Sequence, residues 1–374
     1  MTFPAPIIAS SNSVAVEIVP LNAIPPRWNA PWAELAAHAS EPNPFAEHWF
    51  LRPAIRHFET RSDDRMIGIW RDTMLIGMLP VTQAMQYGRM PIRHVENWAH
   101  YHCFLGTPLV RAGYEPLFWT TVLASLDEAE WASNFLHIIS MDLHGSVLAG
   151  LRGARRVDIV HRTERAMLRS GLTSAAYYET NISHKKRKEL RRLRSRLDEL
   201  GEVAFTELTS ESHVGAWADD FLALEASGWK GREGSALNAD TATKAFFGEV
   251  VSGAQEAGKL EMLRMAHNGK PIAMLVNFMT PPGAYAFKIA FDEDYARFSP
   301  GVQIKIENLK TLDRNDVLWS DSCAVEDHPM INSLWTDRRE MVRVTVPLSG
   351  ARRKAVFHAA RAVETLAAAM RRRP

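Results

Sequence analysis

Cysteine is nearly absent: 374 residues contain two, Cys103 and Cys323. That is too few for a disulfide framework, and their spacing matches no zinc motif. A reducing, cytoplasmic setting is the expectation. No apolar run approaches the ~18 residues needed to span a bilayer. The N-terminal stretch Met1 to Ser10 has no basic segment and is interrupted by prolines, so it does not read as a signal peptide. Net charge is absent too. Forty-four basic residues face forty-three acidic ones, a formal +1, so no global field draws in nucleic acid or membrane. No Walker loop, no Gly-x-Ser-x-Gly elbow and no Gly-x-Gly-x-x-Gly fingerprint occurs. Asp292-Glu293-Asp294 lacks the ligand spacing of a calcium loop, and no paired His or Cys supports zinc. No metal is expected.

What is present is ordinary globular composition, 46% hydrophobic and 23% charged, with enough apolar material for a large core. Two hairpin signals organise it. Asp72-Thr73 lies between the apolar runs 66–71 and 74–81, and Asn268-Gly269 between 260–267 and 270–278. Asn-Gly between apolar runs is a strong hairpin signal. Each hairpin is preceded by a helical pattern, around 32–38 and 240–257, and followed by strand and helix. The chain therefore reads as a weak duplication, with one α/β domain over 12–172 and a second over 173–346. Between them, Leu190, Leu193, Leu197 and Leu200 form an apolar stripe at helical spacing, with Gly201 past the end. The rest of that helix is densely basic. Lys185, Lys186 and Arg187 fall in its first turns, where the helix dipole disfavours cations. An anionic partner would offset that cost, although a solvated charge run also accounts for it. The segment 347–374 reads as a basic amphipathic helix with Val356, Ala360, Val363, Ala367 and Met370 on one side and Arg371 to Arg373 at its end. Such a helix suits either peripheral contact with an anionic membrane surface or packing on the second domain.

Two phrases carry the chemistry. Phe221 to Gly231 reads as a helix stopping at a glycine turn. Tyr285 to Glu293 reads as a strand feeding, through Phe298, a helix that opens on Ser299-Pro300-Gly301-Val302. Serine suits an N-cap, proline the first helical position, and glycine leaves the N–H groups uncovered. A bare helix start after a strand can hold a phosphate; the same residues also cap inert helices. Strict alternation would put Tyr285, Phe287, Ile289 and Phe291 on one face of the strand, and Ala284, Ala286, Lys288 and Ala290 on the other. Glu225 shares a helix face with Ala218, Leu222 and Trp229. A carboxylate there suits a general base or an ion pair. Asp321, ending a short strand, and His328 in the loop beyond it are further candidates.

The ordered series Leu-Glu-Ala-Ser-Gly-Trp-Lys-Gly (224–231), Phe-Lys-Ile-Ala-Phe-Asp-Glu (287–293), Phe-Ser-Pro-Gly (298–301), Asp-Ser-Cys-Ala (321–324) and His-Pro-Met-Ile-Asn-Ser-Leu-Trp (328–335) resembles bacterial acetyltransferase-like proteins grouped with the cellulose-biosynthesis protein CelD. These are relatives of the FemABX peptidyltransferases in the GNAT superfamily. The resemblance implies an α/β (α+β) fold of two tandem GNAT-like domains, each a mixed, mostly antiparallel sheet flanked by helices. It implies transfer of an acyl group from acyl-CoA or an acyl carrier protein to an amine of an exopolysaccharide or sphingolipid-type envelope precursor. It places the donor phosphates on Ser299, Pro300, Gly301 and Val302, with Trp229 and Lys230 beside them. Glu225 would take the amine proton, the strand carrying Lys288 would polarise the carbonyl, and Asp321 or His328 would position the acceptor. The usual Gln/Arg-x-x-Gly-x-Gly/Ala loop is reduced here to Ser-Pro-Gly. FemABX relatives use aminoacyl-tRNA instead, and a degenerate pair binding an anionic effector is the non-enzymatic reading. No nucleic acid is expected, and the site would lie in the cytoplasm, with peripheral contact at the inner membrane.

Overall fold

The computed structural model describes residues 13–234 and 236–371. Its strands are β1 (Val14–Pro20), β2 (Arg65–Arg71), β3 (Met74–Ala84), β4 (His94–Asn97), β5 (Leu109–Val110), β6 (Phe135–Asp142), β7 (Asp158–Leu168), β8 (Val203–Glu207), β9 (Leu260–His267), β10 (Lys270–Thr280), β11 (Gly283–Phe291), β12 (Trp319–Asp321) and β13 (Asp337–Pro347). Its helices are α1 (Asn29–Ala37), α2 (His48–His57), α3 (Glu115–Glu128), α4 (Ser146–Ala154), α5 (Ser174–Asn181), α6 (His184–Asp198), α7 (Val214–Ser227), α8 (Trp229–Arg232), α9 (Thr241–Glu256), α10 (Pro300–Glu307), α11 (Pro329–Asn332) and α12 (Ala351–Arg371).

Both expected hairpins form. Asn268 and Gly269 adopt φ of 49° and 79°, the pair of left-handed residues that a tight two-residue turn requires. Asp72 (φ 54°) turns β2 into β3. The strands join into one mixed sheet in the order β1-β2-β3-β4-β6-β13-β7-β12-β11-β10-β9-β8, with β5 beside β3. Helices cover both faces. The largest core cluster lies where the two halves meet, packing Phe45, Trp49 and Phe50 of the first half against Phe246, Phe278 and Phe287 of the second.

The middle of the sheet is not ordered as the chain is. β13, at the end of the second half, inserts between β6 and β7 of the first, pairing antiparallel with both. β7 in turn pairs with β12. A buried ion-pair network holds this junction. Arg339 of β13 donates to Asp142 of β6 and to Asp321 of β12, each at 2.8 Å. Arg165 of β7 lies 3.3 Å from the same Asp321 carboxylate. Asp321 is fully buried and its other oxygen accepts from the Cys323 N–H at 2.8 Å.

The basic helix α6 buries Leu190, Leu193 and Leu197 as its spacing suggests, while Leu200 lies past the helix end and is exposed. The last helix, α12, corrects the sequence reading. Its buried residues are Phe357 and Ala360, packed on Tyr87 and Phe135 of the first half rather than on the second. Arg353 ties it there through the carbonyls of Asp127, Ala129 and Ala132. Val363, Leu366 and Met370 are exposed; Arg372 and Arg373 lie outside the described residues.

Replacing one member of a buried pair leaves its partner charged and uncompensated, at about 3–5 kcal/mol. Asp321→Asn should lower folding stability by about that amount. Urea denaturation is the measurement, and an unchanged midpoint would show that the network does not hold the junction.

Candidate active site

β11 and β12 run parallel but pair only at Gly283–Trp319, Ala284–Ser320 and Tyr285–Asp321. β12 ends there and the chain turns away through Cys323 (φ 52°), while β11 continues to Phe291. The two strands therefore part like a wedge. A cavity of about 480 Å³ occupies the opening against the end of β11. Ile289, Ala290 and Phe291 form its floor. Glu225 and Gly228, from the end of α7, stand on one side; Ser299, Pro300, Gly301 and Val302 stand on the other, with His328 and Met330 closing the far wall.

The helix start was read correctly in place and incorrectly in detail. Ser299 is not a side-chain cap: it is left-handed (φ 53°, ψ 51°) and its hydroxyl caps nothing. Its carbonyl instead accepts from the N–H groups of Val302 and Gln303, both at 3.0 Å. Pro300 has no N–H. Among the described residues, Gly301 carries the one N–H of this turn without an acceptor. Gly301 also lets the helix approach β11, since a Cβ there would sit 3.2 Å from a ring carbon of Phe291.

Strict alternation along β11 fails at a bulge. Val276 of β10 faces Lys288 and Asn277 faces Ala286, so Phe287 has no partner of its own. A bulge places two successive side chains on one face. Phe287 and Lys288 both point toward the first half. Phe287 packs on Phe50 and Phe278. The Lys288 amine lies 3.2 Å from Nδ1 of His102 and over the Phe104 ring. Lys288 is thus at the interface of the two halves and not among the cavity-lining residues.

Glu225 is buried in the last turn of α7, where its Oε2 accepts the Leu237 N–H at 2.8 Å. That bond fixes the carboxylate at the cavity wall. His328 uses Nδ1 to cap α11 through the Ile331 N–H, at 3.4 Å. Asp321 is not among the cavity-lining residues: one oxygen accepts from the Arg339 guanidinium and the other from the Cys323 N–H, so the structure puts it in the junction and not beside the candidate acceptor space. Trp229 and Lys230 lie in α8, directly after Gly228; their side chains are outside the described set. Sequence reasoning missed His102 and its neighbour His100, on the loop between β4 and β5. The His-Tyr-His triplet was the available signal. Among the described residues no cluster of three or more His, Cys, Asp or Glu is placed to hold a metal, and no helix is long and apolar enough to cross a membrane.

Residues 184–318 match the family of acetyltransferase (GNAT) domains. No curated protein matches the chain in sequence. Among solved structures, FemX superposes with a TM-score of 0.58 at 8% identity, covering 84% of this chain and 95% of that one. A conserved protein of unknown function from Bacteroides thetaiotaomicron gives 0.52 at 12% identity, over 85% and 97%. The C-terminal domain of a protein described as a lysylphosphatidylglycerol synthetase, from Agrobacterium fabrum, gives 0.52 at 13%, over 89% and 96%. At these identities the likeness is one of fold.

Two buried histidines make stability depend on acid. Burial pushes His100 down to about 3, helped by the nearby His102 and Lys288. Burial also pushes His137, which bonds the Thr345 hydroxyl, down to about 4. Both are neutral in the fold, so below the ordinary value of 6.5 the unfolded chain binds protons that the folded chain refuses. Their contribution is complete above about pH 6.5 and is lost as pH falls toward 4, at up to about 1.4 kcal/mol per pH unit for each. His137→Gln should flatten the fall in urea midpoint between pH 7 and 5. An equal fall in both proteins would assign the acid sensitivity to other groups.

Proposed function

We propose, for a GNAT-superfamily protein with this parting of strands, that the cavity is the donor site of an N-acyltransferase. The carrying observation is the cavity itself. It joins a bare helix start on one side of β11 to a fixed carboxylate on the other, along the part of β11 that runs beyond β12. An extended pantetheine arm suits this stretch, where β11 runs on beyond the last residue paired with β12 and a ligand can lie alongside it as an added strand does. The donor is an acyl thioester, from acyl-CoA or an acyl carrier protein.

The acceptor is an amine entering from the Glu225 side. Its nitrogen attacks the thioester carbonyl carbon, and main-chain N–H groups of β11 stabilise the oxyanion. Glu225 receives the proton released as the new C–N bond forms. The C–S bond then breaks, and the departing sulfur takes up the proton held by Glu225, leaves as the thiol and restores the carboxylate. Lys288 and His102 face each other at the interface of the halves, outside the cavity lining. The acceptor is assigned to the class implied by the family that the 224–335 residue series resembles, an amine of a cell-envelope sugar or lipid precursor.

Glu225→Gln preserves an oxygen for the Leu237 N–H and removes the base. Turnover at saturating substrate, followed as thiol release from octanoyl-CoA with a panel of amines, should fall by roughly 10²-fold or more. Unaltered turnover would make Glu225 a structural anchor of the segment around Leu237.

A further inference from the structure

We propose that the thioester reaches this cavity on an acidic carrier protein that docks on the exposed face of α6; the inference rests on the acyltransferase reading. α6 carries eight basic residues against two acidic ones in a chain whose net charge is +1. Part of that charge is already neutralised. Arg187, Arg192 and Arg194 pair with Glu179, Glu189 and Asp198. Lys185, Lys188 and Arg191 are exposed at three-residue intervals, so they share a face. Among the described residues none of the three has a carboxylate partner. The first of them stands in a helix turn where the dipole disfavours a cation.

No residue of α6 lines the cavity, but the helix packs on the segments that carry its walls. At its N-terminal end Lys186 donates to the Ser333 hydroxyl, just past α11, and α11 follows the wall residue His328. Toward its other end Leu197 packs in a cluster with Phe298 and Tyr295, which immediately precede Ser299. Midway, Arg191 and Arg194 line a groove of about 210 Å³ against Gln303, Ile306 and Glu307 of α10. The inward side of α6 thus touches segments that lead into both walls of the cavity, and its exposed basic side lies on the outer surface of the same region.

The helix start points the same way. Pro300 supplies no N–H, and those of Val302 and Gln303 are spent on the Ser299 carbonyl. A single free N–H suits the one phosphodiester of a carrier-borne pantetheine better than the pyrophosphate and third phosphate of a coenzyme. Recognition would then come from charge on α6 rather than from a nucleotide pocket, and electrostatic steering would raise the association rate.

The test uses the full chain and the octanoyl form of a bacterial acyl carrier protein, with Lys185→Glu/Lys188→Glu/Arg191→Glu as the variant and thermal melting to establish that it is folded. The expected result is carrier binding that weakens with salt and drops at least tenfold in the variant. Turnover of octanoyl-N-acetylcysteamine thioester should be equal in both proteins. Equal carrier binding by wild type and variant, or none at low salt, would overturn the proposal while leaving the acyltransferase reading intact. Binding of bulk tRNA tighter than the carrier would also overturn it, making α6 a nucleic-acid surface. If no thioester is turned over yet carrier binding is lost in the variant, docking stands and the acyltransferase reading fails.

Discussion

The contact of Arg339 with Asp321 is the constraint on which the rest depends. It sits where β6, β13, β7 and β12 run side by side, and each of these strands contributes a charged group to it. Burying four charges is unfavourable unless every one is matched, so the arrangement tolerates little variation in register. Asp321 is also the last residue at which β12 pairs with β11. The network therefore sets two things together: the seam between the halves of the sheet, and the apex from which the wedge opens. A cavity against the end of β11 follows from where that apex is fixed.

The two halves differ in how they treat a parallel strand pair that parts early. In the first, β4 and β6 also run parallel and pair briefly, at Val95–Leu136 and Glu96–His137. There the chain fills its own gap. The Asn97 side chain accepts the Ile139 N–H at 2.8 Å, and the Gly106 N–H reaches the Ser140 carbonyl at 2.9 Å. A side chain at residue 106 would collide with the Ile139 carbonyl. The loop that plugs this gap is the one bearing His100 and His102, which reaches Lys288 of the other half. The first half thus closes its own strand opening and lends a histidine to the neighbourhood of the second.

Features that depend on a few adjacent residues were legible in the sequence. The Asn268-Gly269 hairpin, the basic helix with its leucine stripe, and the helix start at Pro300 are all local. Glu225 and the 299–302 segment were placed at one site because both belong to recognisable phrases, and the fold brings both to one cavity. What failed depends on distant partners. The bulge that turns Lys288 over is imposed by the register of β10 opposite. The left-handed Ser299 depends on how the 293–298 turn enters the helix. β7 and β13 were overlooked because their inward positions carry Arg165 and Arg339, and a strand with buried arginines reads as solvent-exposed until its carboxylates are known. Asp321 was misread for the same reason from the opposite side.

The placement of β13 has a further consequence for biosynthesis. The first half contains all of its own helices by residue 154, yet the strand that covers the β6 edge ends at Pro347. At a synthesis rate of roughly 5–20 residues per second, that edge waits on the order of 10–40 s after emerging before its neighbour exists. An unpaired central edge is a template for wrong pairing. Vectorial folding, one half after the other, is therefore closed to this chain. The ribosome must deliver the chain as far as Pro347 before the β6 edge is covered, and the nascent first half is the stage at which a chaperone would matter most.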